Sequence, residues 1–202
     1  MTKLEQMLNE AASVVILGHV NPDGDCMGSC LAMYRYARKR KQEADIRVCL
    51  KNFPEKFSYL DGYDQIQTDV KEETFDLCIC LDCSDKERLG EFGAYLETAG
   101  ASICVDHHVT NTGYARENVV EPGASSTAEV LYGQLSQELL DKELAECLYT
   151  GIVHDTGVFR FSSTTAKTME IAGKLMGLGI DFTKIIDDSF YRKTYLQSQI
   201  LG

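Results

Sequence analysis

Hydrophobic and polar positions divide the chain into two parts. In the first 120 residues, short continuous apolar runs recur, among them Val14-Val15-Ile16-Leu17 and Leu77–Leu81. Each run has the length of a strand that is buried on both faces, and helical segments separate the runs. The pattern predicts an α/β fold, a parallel sheet with helices on both faces. The predicted strands cover residues 14–17, 46–50, 77–81 and 102–105, and the predicted helices among them cover residues 2–12 and 27–41.

After residue 120 the pattern becomes helical. Ser126-Thr127-Ala128-Glu129 has the spacing of a capping box, in which the serine hydroxyl and the glutamate carboxylate each bind a backbone N–H. Leu131, Leu135 and Leu139 recur every four residues behind it, which predicts one helix through all three. Further helices are predicted over residues 142–153, from Ser163 or Thr164 through Leu178, and over residues 183–201.

Short histidine and aspartate clusters follow several of these elements. The chain has four histidines, and each lies in or beside an aspartate cluster. Ligands of parallel sheets bind beyond the carboxyl ends of the strands, where three of the clusters fall. Imidazoles and carboxylates together are metal ligands, so the clusters predict one metal site assembled from distant parts of the chain. The clusters are Gly18-His19-Val20-Asn21-Pro22-Asp23-Gly24-Asp25, Asp82, Asp106-His107-His108 and His154-Asp155.

Spacing within the clusters indicates how ions would be shared. His19 and Asp23, four residues apart across a Pro-Asp-Gly turn, are placed to meet one ion, and Asp25 is placed to meet a second. The two oxygens of Asp82 are suited to bridging both. Carboxylates serve the divalent ions of phosphoryl chemistry, and added imidazoles shift the preference from Mg²⁺ toward Mn²⁺ or another transition metal. Two ions about 3.5–4 Å apart align a water with a phosphorus atom.

Each motif also has a plain structural interpretation. Asn-Pro-Asp-Gly is a common turn, and Asp82 or Asp155 alone fits a helix cap. Their coincidence at successive element ends favours the metal site. Cys78, Cys80 and Cys83 resemble half of a zinc site, but no matching cluster follows, and the first two alternate within an apolar strand.

Composition and charge narrow the class of protein. The 202 residues carry a net charge of −11, which disfavours duplex nucleic acid because that partner requires a basic face. No apolar run approaches the roughly 20 residues of a membrane span, and the start lacks a signal-peptide core. Several of the eight cysteines lie in apolar runs, which predicts reduced thiols and a cytoplasmic location. No Gly-x-Gly-x-x-Gly follows the first strand, so a dinucleotide-binding domain is disfavoured.

Four motifs together resemble the DHH phosphoesterase family, which includes RecJ-like nucleases, family II inorganic pyrophosphatases and small nano-RNase/pAp phosphatases. The resemblance extends from residue 14 to about residue 165. The first motif is Gly-His-Val-Asn-Pro-Asp-Gly-Asp-Cys-Met-Gly-Ser and the third is Asp-His-His. Asp82 in Leu-Asp-Cys-Ser-Asp matches the second motif, and Asp155 in Gly-Ile-Val-His-Asp-Thr-Gly-Val-Phe-Arg-Phe matches the fourth.

The resemblance implies a role for each matched residue. It implies two Mn²⁺ ions, with Mg²⁺ or another divalent metal as the alternative. His108 would contact the scissile phosphate or protonate the leaving oxygen, and Asp106 would orient an imidazole. One ion would be held by His19, Asp23 and Asp82, and the other by Asp25, Asp82, His107 and Asp155.

The motifs resemble the nano-RNase/pAp phosphatase branch most closely. This branch implies hydrolysis of pAp or of very short single-stranded oligonucleotides. Cyclic-dinucleotide phosphodiesterase, inorganic pyrophosphatase and a metal-bound nucleotide sensor without turnover stay open as alternatives, as does a homodimer. The branch also carries a smaller DHHA1 domain with a Gly-Gly-Gly-His motif, which this sequence lacks. The expectation is a catalytic domain over residues 1–188 and the start of a helical linker to an absent DHHA1-type domain over residues 189–202.

Overall fold

A six-stranded sheet forms the centre of the structure, a computed structural model that describes residues 1–71 and 73–191. Every neighbouring pair of strands is parallel. The strands are β1 (Ser13–Leu17), β2 (Asp45–Cys49), β3 (Ile66–Gln67), β4 (Leu77–Leu81), β5 (Ala101–Asp106) and β6 (Glu117–Val120). The predicted parallel α/β fold is confirmed. The sheet adds two short edge strands, β3 and β6, that the apolar pattern did not predict.

The order of the strands creates a crevice at one edge of the sheet. The order is β3-β2-β1-β4-β5-β6, so the chain builds outward from β1 to one side and then returns to build on the other. Leu17, at the end of β1, pairs with Cys49 of β2 and with Cys80 of β4. The connection after β1 leads to β2 on one side, and the connection after β4 leads to β5 on the other. Because these connections run in opposite directions, a cleft opens beyond the carboxyl ends of β1 and β4.

Helices cover both faces of the sheet, but unevenly. The larger core lies between the sheet and a layer in which α2 packs against α5, and the smaller core lies beneath α3, around Phe92 and Tyr95. Side chains along β1 alternate between the two, with Val14 and Ile16 in the larger core and Val15 in the smaller. The helices are α1 (Lys3–Glu10), α2 (Gly24–Arg40), α3 (Gly93–Thr98), α4 (Thr127–Gln134), α5 (Lys142–Asp155), α6 (Ala166–Met176) and α7 (Phe182–Ile185), and a π-helical turn (Ile186–Tyr191) follows.

Helix α4 is shorter than predicted. It ends at Gln134, and Leu139 lies in a separate 3₁₀ turn, so the prediction of one helix through Leu139 is wrong. The side-chain amide of Gln137 donates to the carbonyl oxygens of Tyr132 and Leu135 at 3.2 and 3.1 Å. These bonds satisfy carbonyl groups that a continuing helix would have used.

The predicted capping box forms only in part. Ser126 Oγ accepts from the Glu129 N–H at 3.1 Å, as expected. The Glu129 carboxylate instead accepts from Ser125 Oγ at 2.6 Å and from Thr168 Oγ1 at 2.7 Å. This buried carboxylate therefore ties the start of α4 to α6. The N-cap of helix α6 is Thr165, one residue after Thr164 and two after Ser163, the two predicted caps.

The C-terminal prediction is tested only in its first residues. Residues 182–191 form α7 and the π-helical turn, whereas residues 192–202 of the predicted helix and linker lie outside the described residues. No helix in residues 1–71 and 73–191 combines the length and the apolar character required to cross a bilayer.

Candidate metal centre

The loop after β1 carries the first group of candidate ligands. His19 Nδ1 lies 2.9 Å from the Val20 carbonyl oxygen. Because a carbonyl only accepts, Nδ1 carries a hydrogen, and Nε2 is the ring nitrogen that faces the carboxylates of the cluster. Asp23 is the N-cap of α2, where its Oδ1 accepts the N–H groups of Asp25 and Cys26 at 3.0 and 3.1 Å. His19 Nε2 is 3.9 Å from the same oxygen.

Asp82 lies at the centre of the cluster. It directly follows β4, it is 2% exposed, and its backbone has a φ of 55°, in the left-handed region that non-glycine residues rarely adopt. Its Oδ2 is 3.6 Å from His19 Nε2, and its Oδ1 is 3.9 Å from His107 Nε2. The two carboxylate oxygens therefore face two different imidazoles.

The loop after β5 and the end of α5 complete the cluster. His107 Nε2 lies 3.0 Å from Asp155 Oδ2 and 3.9 Å from Asp25 Oδ2. This nitrogen is buried and makes no hydrogen bond of acceptable geometry within the described residues. Asp155 is the last residue of α5, so the helix brings it to the carboxyl edge of the sheet. A buried nitrogen among carboxylate oxygens is an arrangement that fits a divalent cation.

His154 does not join this cluster. Its Nε2 is 3.1 Å from Ser189 Oγ, and its ring packs edge-on against Phe57 and Phe190. Burial lowers the pKa of His154 to about 4. The prediction that all four histidines build one site is therefore wrong for this residue. The reason is helical geometry, since neighbours on a helix point about 100° apart and Asp155 already faces the centre.

Charge within the cluster is unbalanced. Burial raises the pKa of Asp25 well above its ordinary value, and the carboxylates of Asp82 and Asp155 raise it further. Burial and Asp82 also raise the pKa of Asp155, although His107 opposes them. These carboxylates have no Lys or Arg ion pair in residues 1–71 and 73–191, only histidines. Such crowding favours a site that binds cations.

His19 and Asp23 shift each other in the opposite sense. Burial alone would lower the pKa of His19, but Asp23 and Asp82 outweigh it and raise the pKa. Burial would raise the pKa of Asp23, but His19 and the N–H groups of α2 lower it to about 2. Asp23 therefore carries its charge at any pH near neutrality.

Three groups of ligand atoms lie close enough to share ions. Within each group, one ligand atom from every residue lies within 4.8 Å of the others. Asp82 and His107 each belong to two groups, which links the groups into one centre. The groups are His19 with Cys26 and Asp82, Asp82 with His107 and His108, and Asp25 with His107 and Asp155. The sequence did not predict Cys26 as a candidate ligand, because its neighbours in the chain do not show that folding brings its sulfur close to Asp82.

The first turn of α4 holds two of the carboxylates, a role that sequence reasoning also missed. The N–H groups of Thr127 and Ala128 donate to the two oxygens of Asp25 at 2.6 and 2.9 Å. Thr127 Oγ1 donates to Asp82 Oδ1 at 2.9 Å. The capping box predicted that the first N–H groups of α4 would be free to bind a side chain. It did not predict that Asp25 would be their partner.

His108 is held by a chain of hydrogen bonds. Its Nδ1 lies 2.7 Å from Asp106 Oδ1, and Asn111 Nδ2 donates to Asp106 Oδ2 at 2.7 Å. The Asp106 bond raises the pKa of His108, and this effect outweighs the opposing effect of burial. Since Asp106 accepts from Nδ1, His108 keeps Nε2 for other partners. Asn111 was not predicted, because no motif marks it.

The fold and the site define a parallel α/β domain with an acidic, histidine-rich centre at the topological switch point of its sheet. Residues 13–152 match the family model described as "DHH family, N-terminal domain", and the chain belongs to the DHH family.

Relatives of the chain are longer than the chain itself. It is 30% identical over 190 residues to the "Bifunctional oligoribonuclease and PAP phosphatase NrnA" of Thermus thermophilus, covering 89% of this chain and 54% of the relative. It is 28% identical over 198 residues to the protein of the same name from Bacillus subtilis, covering 95% and 61%. An exopolyphosphatase-related protein from Bacteroides fragilis has a solved structure with a TM-score of 0.89 at 26% identity, covering 98% of this chain and 62% of that one.

Proposed function

We propose that the chain is the catalytic domain of a metal-dependent phosphoesterase that hydrolyses pAp to AMP, very short oligoribonucleotides, or both. The observation that carries this proposal is the placement of Asp82. Its two buried oxygens face His19 Nε2 at 3.6 Å and His107 Nε2 at 3.9 Å. A carboxylate between two imidazoles is suited to bridging two metal ions, the arrangement that phosphoryl hydrolysis uses.

The residues divide into two metal positions. When bound, two ions activate a water and neutralise charge on the phosphoryl group. Mn²⁺ fits a ligand set of carboxylates and imidazoles better than Mg²⁺, which prefers oxygen ligands alone. His19, Asp23 and Asp82 would hold the first ion, and Asp25, Asp82, His107 and Asp155 would hold the second.

His108 acts on the leaving group. Asp106 fixes its ring through Nδ1, and Asn111 fixes Asp106 in turn. His108 Nε2 contacts the scissile phosphate or gives a proton to the leaving oxygen as the P–O bond breaks and water oxygen bonds to phosphorus. Asp106 orients the ring, and it raises the pKa of His108, which favours the imidazolium that carries the Nε2 proton this role requires.

Relatives support a small nucleotide substrate. The two named relatives act on oligoribonucleotides and PAP, and the net charge of −11 disfavours a long duplex partner.

We propose that residues 1–188 form the catalytic domain and that residues 189–202 begin a linker toward a second domain that grips substrate. The chain spans only 54% and 61% of those relatives, which leaves room in them for such a second domain. All eight cysteines are free and buried, which fits a reducing cytoplasm.

A substrate panel tests the proposal. The chain is incubated with Mn²⁺ and pAp, a diribonucleotide, a cyclic dinucleotide or pyrophosphate, and the products are separated chromatographically. We expect AMP from pAp or mononucleotides from the diribonucleotide, with none from Asp82→Ala. Preferential cleavage of pyrophosphate or of the cyclic dinucleotide would assign the site to another branch of the family. Binding of pAp without any product would indicate a sensor.

A further inference from the structure

Cys26 occupies an unusual position beside the first group of ligands. It lies in the first turn of α2, is fully buried, and gives its backbone N–H to Asp23. Its sulfur lies beneath the loop that carries His19. A Cβ atom on Gly18 would stand only 2.3 Å from this sulfur, so the glycine is what allows the close approach.

The sulfur shares a buried space with two other ligand atoms. Ligand atoms of His19, Cys26 and Asp82 all lie within 4.8 Å of one another, and the three residues are at most 5% exposed. His19 supplies an independent indication of a ligand. Its Nε2 is the ring nitrogen that faces this space, and the nearest Asp82 oxygen, at 3.6 Å, is beyond hydrogen-bond distance. Nitrogen, sulfur and oxygen donors therefore converge on one point.

We propose that Cys26 is a fourth protein ligand of the ion assigned to His19, Asp23 and Asp82, and that this position selects Zn²⁺, Co²⁺ or Fe²⁺ over Mg²⁺. The inference rests on the proposed metal-dependent function and adds a ligand that the DHH motifs do not require. A thiolate is a soft donor, and ligand softness decides between these ions. The thiol proton passes to solvent when the ion binds.

The two metal positions then differ in kind. The Asp25, His107 and Asp155 group offers only oxygen and nitrogen donors, which suit Mn²⁺. The inference therefore predicts a mixed centre, in which Zn²⁺ displaces one of two bound Mn²⁺ ions before the other.

Cys30 provides a matched control. It lies one turn further along α2, it is also fully buried, and its sulfur would stand 3.0 Å from a Gly18 Cβ. No ligand group within the described residues includes it. If Cys26 only fills space, Cys26→Ser and Cys30→Ser should behave alike.

Cobalt substitution separates the two interpretations. Wild type, Cys26→Ser and Cys30→Ser are loaded with Co²⁺, and the near-ultraviolet thiolate-to-cobalt charge-transfer band is recorded. We expect the band in wild type and Cys30→Ser and its loss in Cys26→Ser. Zn²⁺ affinity at this position should fall roughly tenfold or more in Cys26→Ser, since even residues behind the ligands contribute that much.

A band that survives in Cys26→Ser overturns the inference, as does cobalt binding by wild type without a band. If Cys26→Ser does not fold, X-ray absorption of Zn²⁺-loaded wild type decides instead, because a ligated sulfur lies at about 2.3 Å. Absence of that scatterer overturns the inference. These readouts need no substrate. If the chain shows the Cys26-dependent band but cleaves neither pAp nor a diribonucleotide, Cys26 is a metal ligand and the proposed function is wrong.

Discussion

An acidic cluster lies at each end of helix α5, and the two clusters differ in how their charge is balanced. The cluster at the amino end consists of Asp141, Asp61 and Glu143, which all bind Arg35. At the amino end, Asp141 caps the helix and binds Arg35 through both oxygens, at 2.9 and 2.7 Å, while Lys39 Nζ lies 2.7 Å away. At the carboxyl end, Asp155 lies with Asp25 and Asp82 near His107.

The pKa values show the consequence. Burial would raise the pKa of Asp141, but Arg35 and Lys39 lower it far below the ordinary value. The pKa values of Asp25 and Asp155 are raised instead. One cluster is neutralised by side chains of the protein. The other lacks Lys or Arg partners among the described residues, and it therefore favours a cation from solution. Acidic clustering alone does not indicate a metal site, whereas clustering without basic partners does.

The largest expected effect comes from Asp82→Ala. We expect wild type to bind close to two Mn²⁺ ions per chain and Asp82→Ala to bind both more weakly, because it lacks the shared ligand. Loss of several kcal/mol of metal stabilisation corresponds to roughly 1,000-fold in turnover. Isothermal titration with Mn²⁺ measures the stoichiometry, and Asp141→Ala is the control that should keep both ions. Wild-type affinity for both ions in Asp82→Ala contradicts the bridging role.

His108→Ala should have the next largest effect. Turnover should fall by about 100-fold or more, the usual scale for loss of a general acid or a charge-stabilising group. Metal content should stay unchanged, because the role of His108 is on the phosphate side. Steady-state kinetics and metal analysis of the same preparation measure both quantities. Loss of one ion in this variant would place His108 among the ligands, where its proximity to Asp82 and His107 also allows it to lie.

Most of the fold was predictable because strands such as β1 and β4 are continuous apolar runs with one interpretation. The edge strands were not, since β3 has two residues and β6 is only partly buried. The candidate ligands were predictable because they follow strand ends and the family motifs. Thr127 and Cys26 were not, because their roles depend on partners brought together by folding. Thr127, for example, lies 102 residues from the Asp25 carboxylate that it holds.

A smaller effect should separate the two acidic clusters in metal-free protein. Asp155→Asn removes a charge from a repulsive cluster, so we expect it to raise the thermal midpoint in a chelator. Asp141→Asn weakens a helix cap and an ion pair, so it should lower stability by about 1–2 kcal/mol. Thermal unfolding of both variants, with and without Mn²⁺, measures this. Added Mn²⁺ should stabilise wild type more than Asp155→Asn, so that wild type then has the higher thermal midpoint of the two. Destabilisation of both variants to the same degree in chelator would remove the electrostatic distinction between the clusters.

The smallest effect concerns the acid side of the Asp141 cluster. A carboxylate whose pKa is lower in the folded state stabilises the fold above its unfolded pKa, about 3.9, and loses that contribution as pH falls through the folded value. The pKa of Asp141 is lowered in this way by Arg35 and Lys39. The difference in unfolding free energy between wild type and Asp141→Asn should therefore be constant near neutral pH and shrink below about pH 4. Urea unfolding across this range measures the difference. A difference that persists unchanged into strong acid would mean that Asp141 acts as a neutral helix cap and that its ion pairs with α2 contribute nothing.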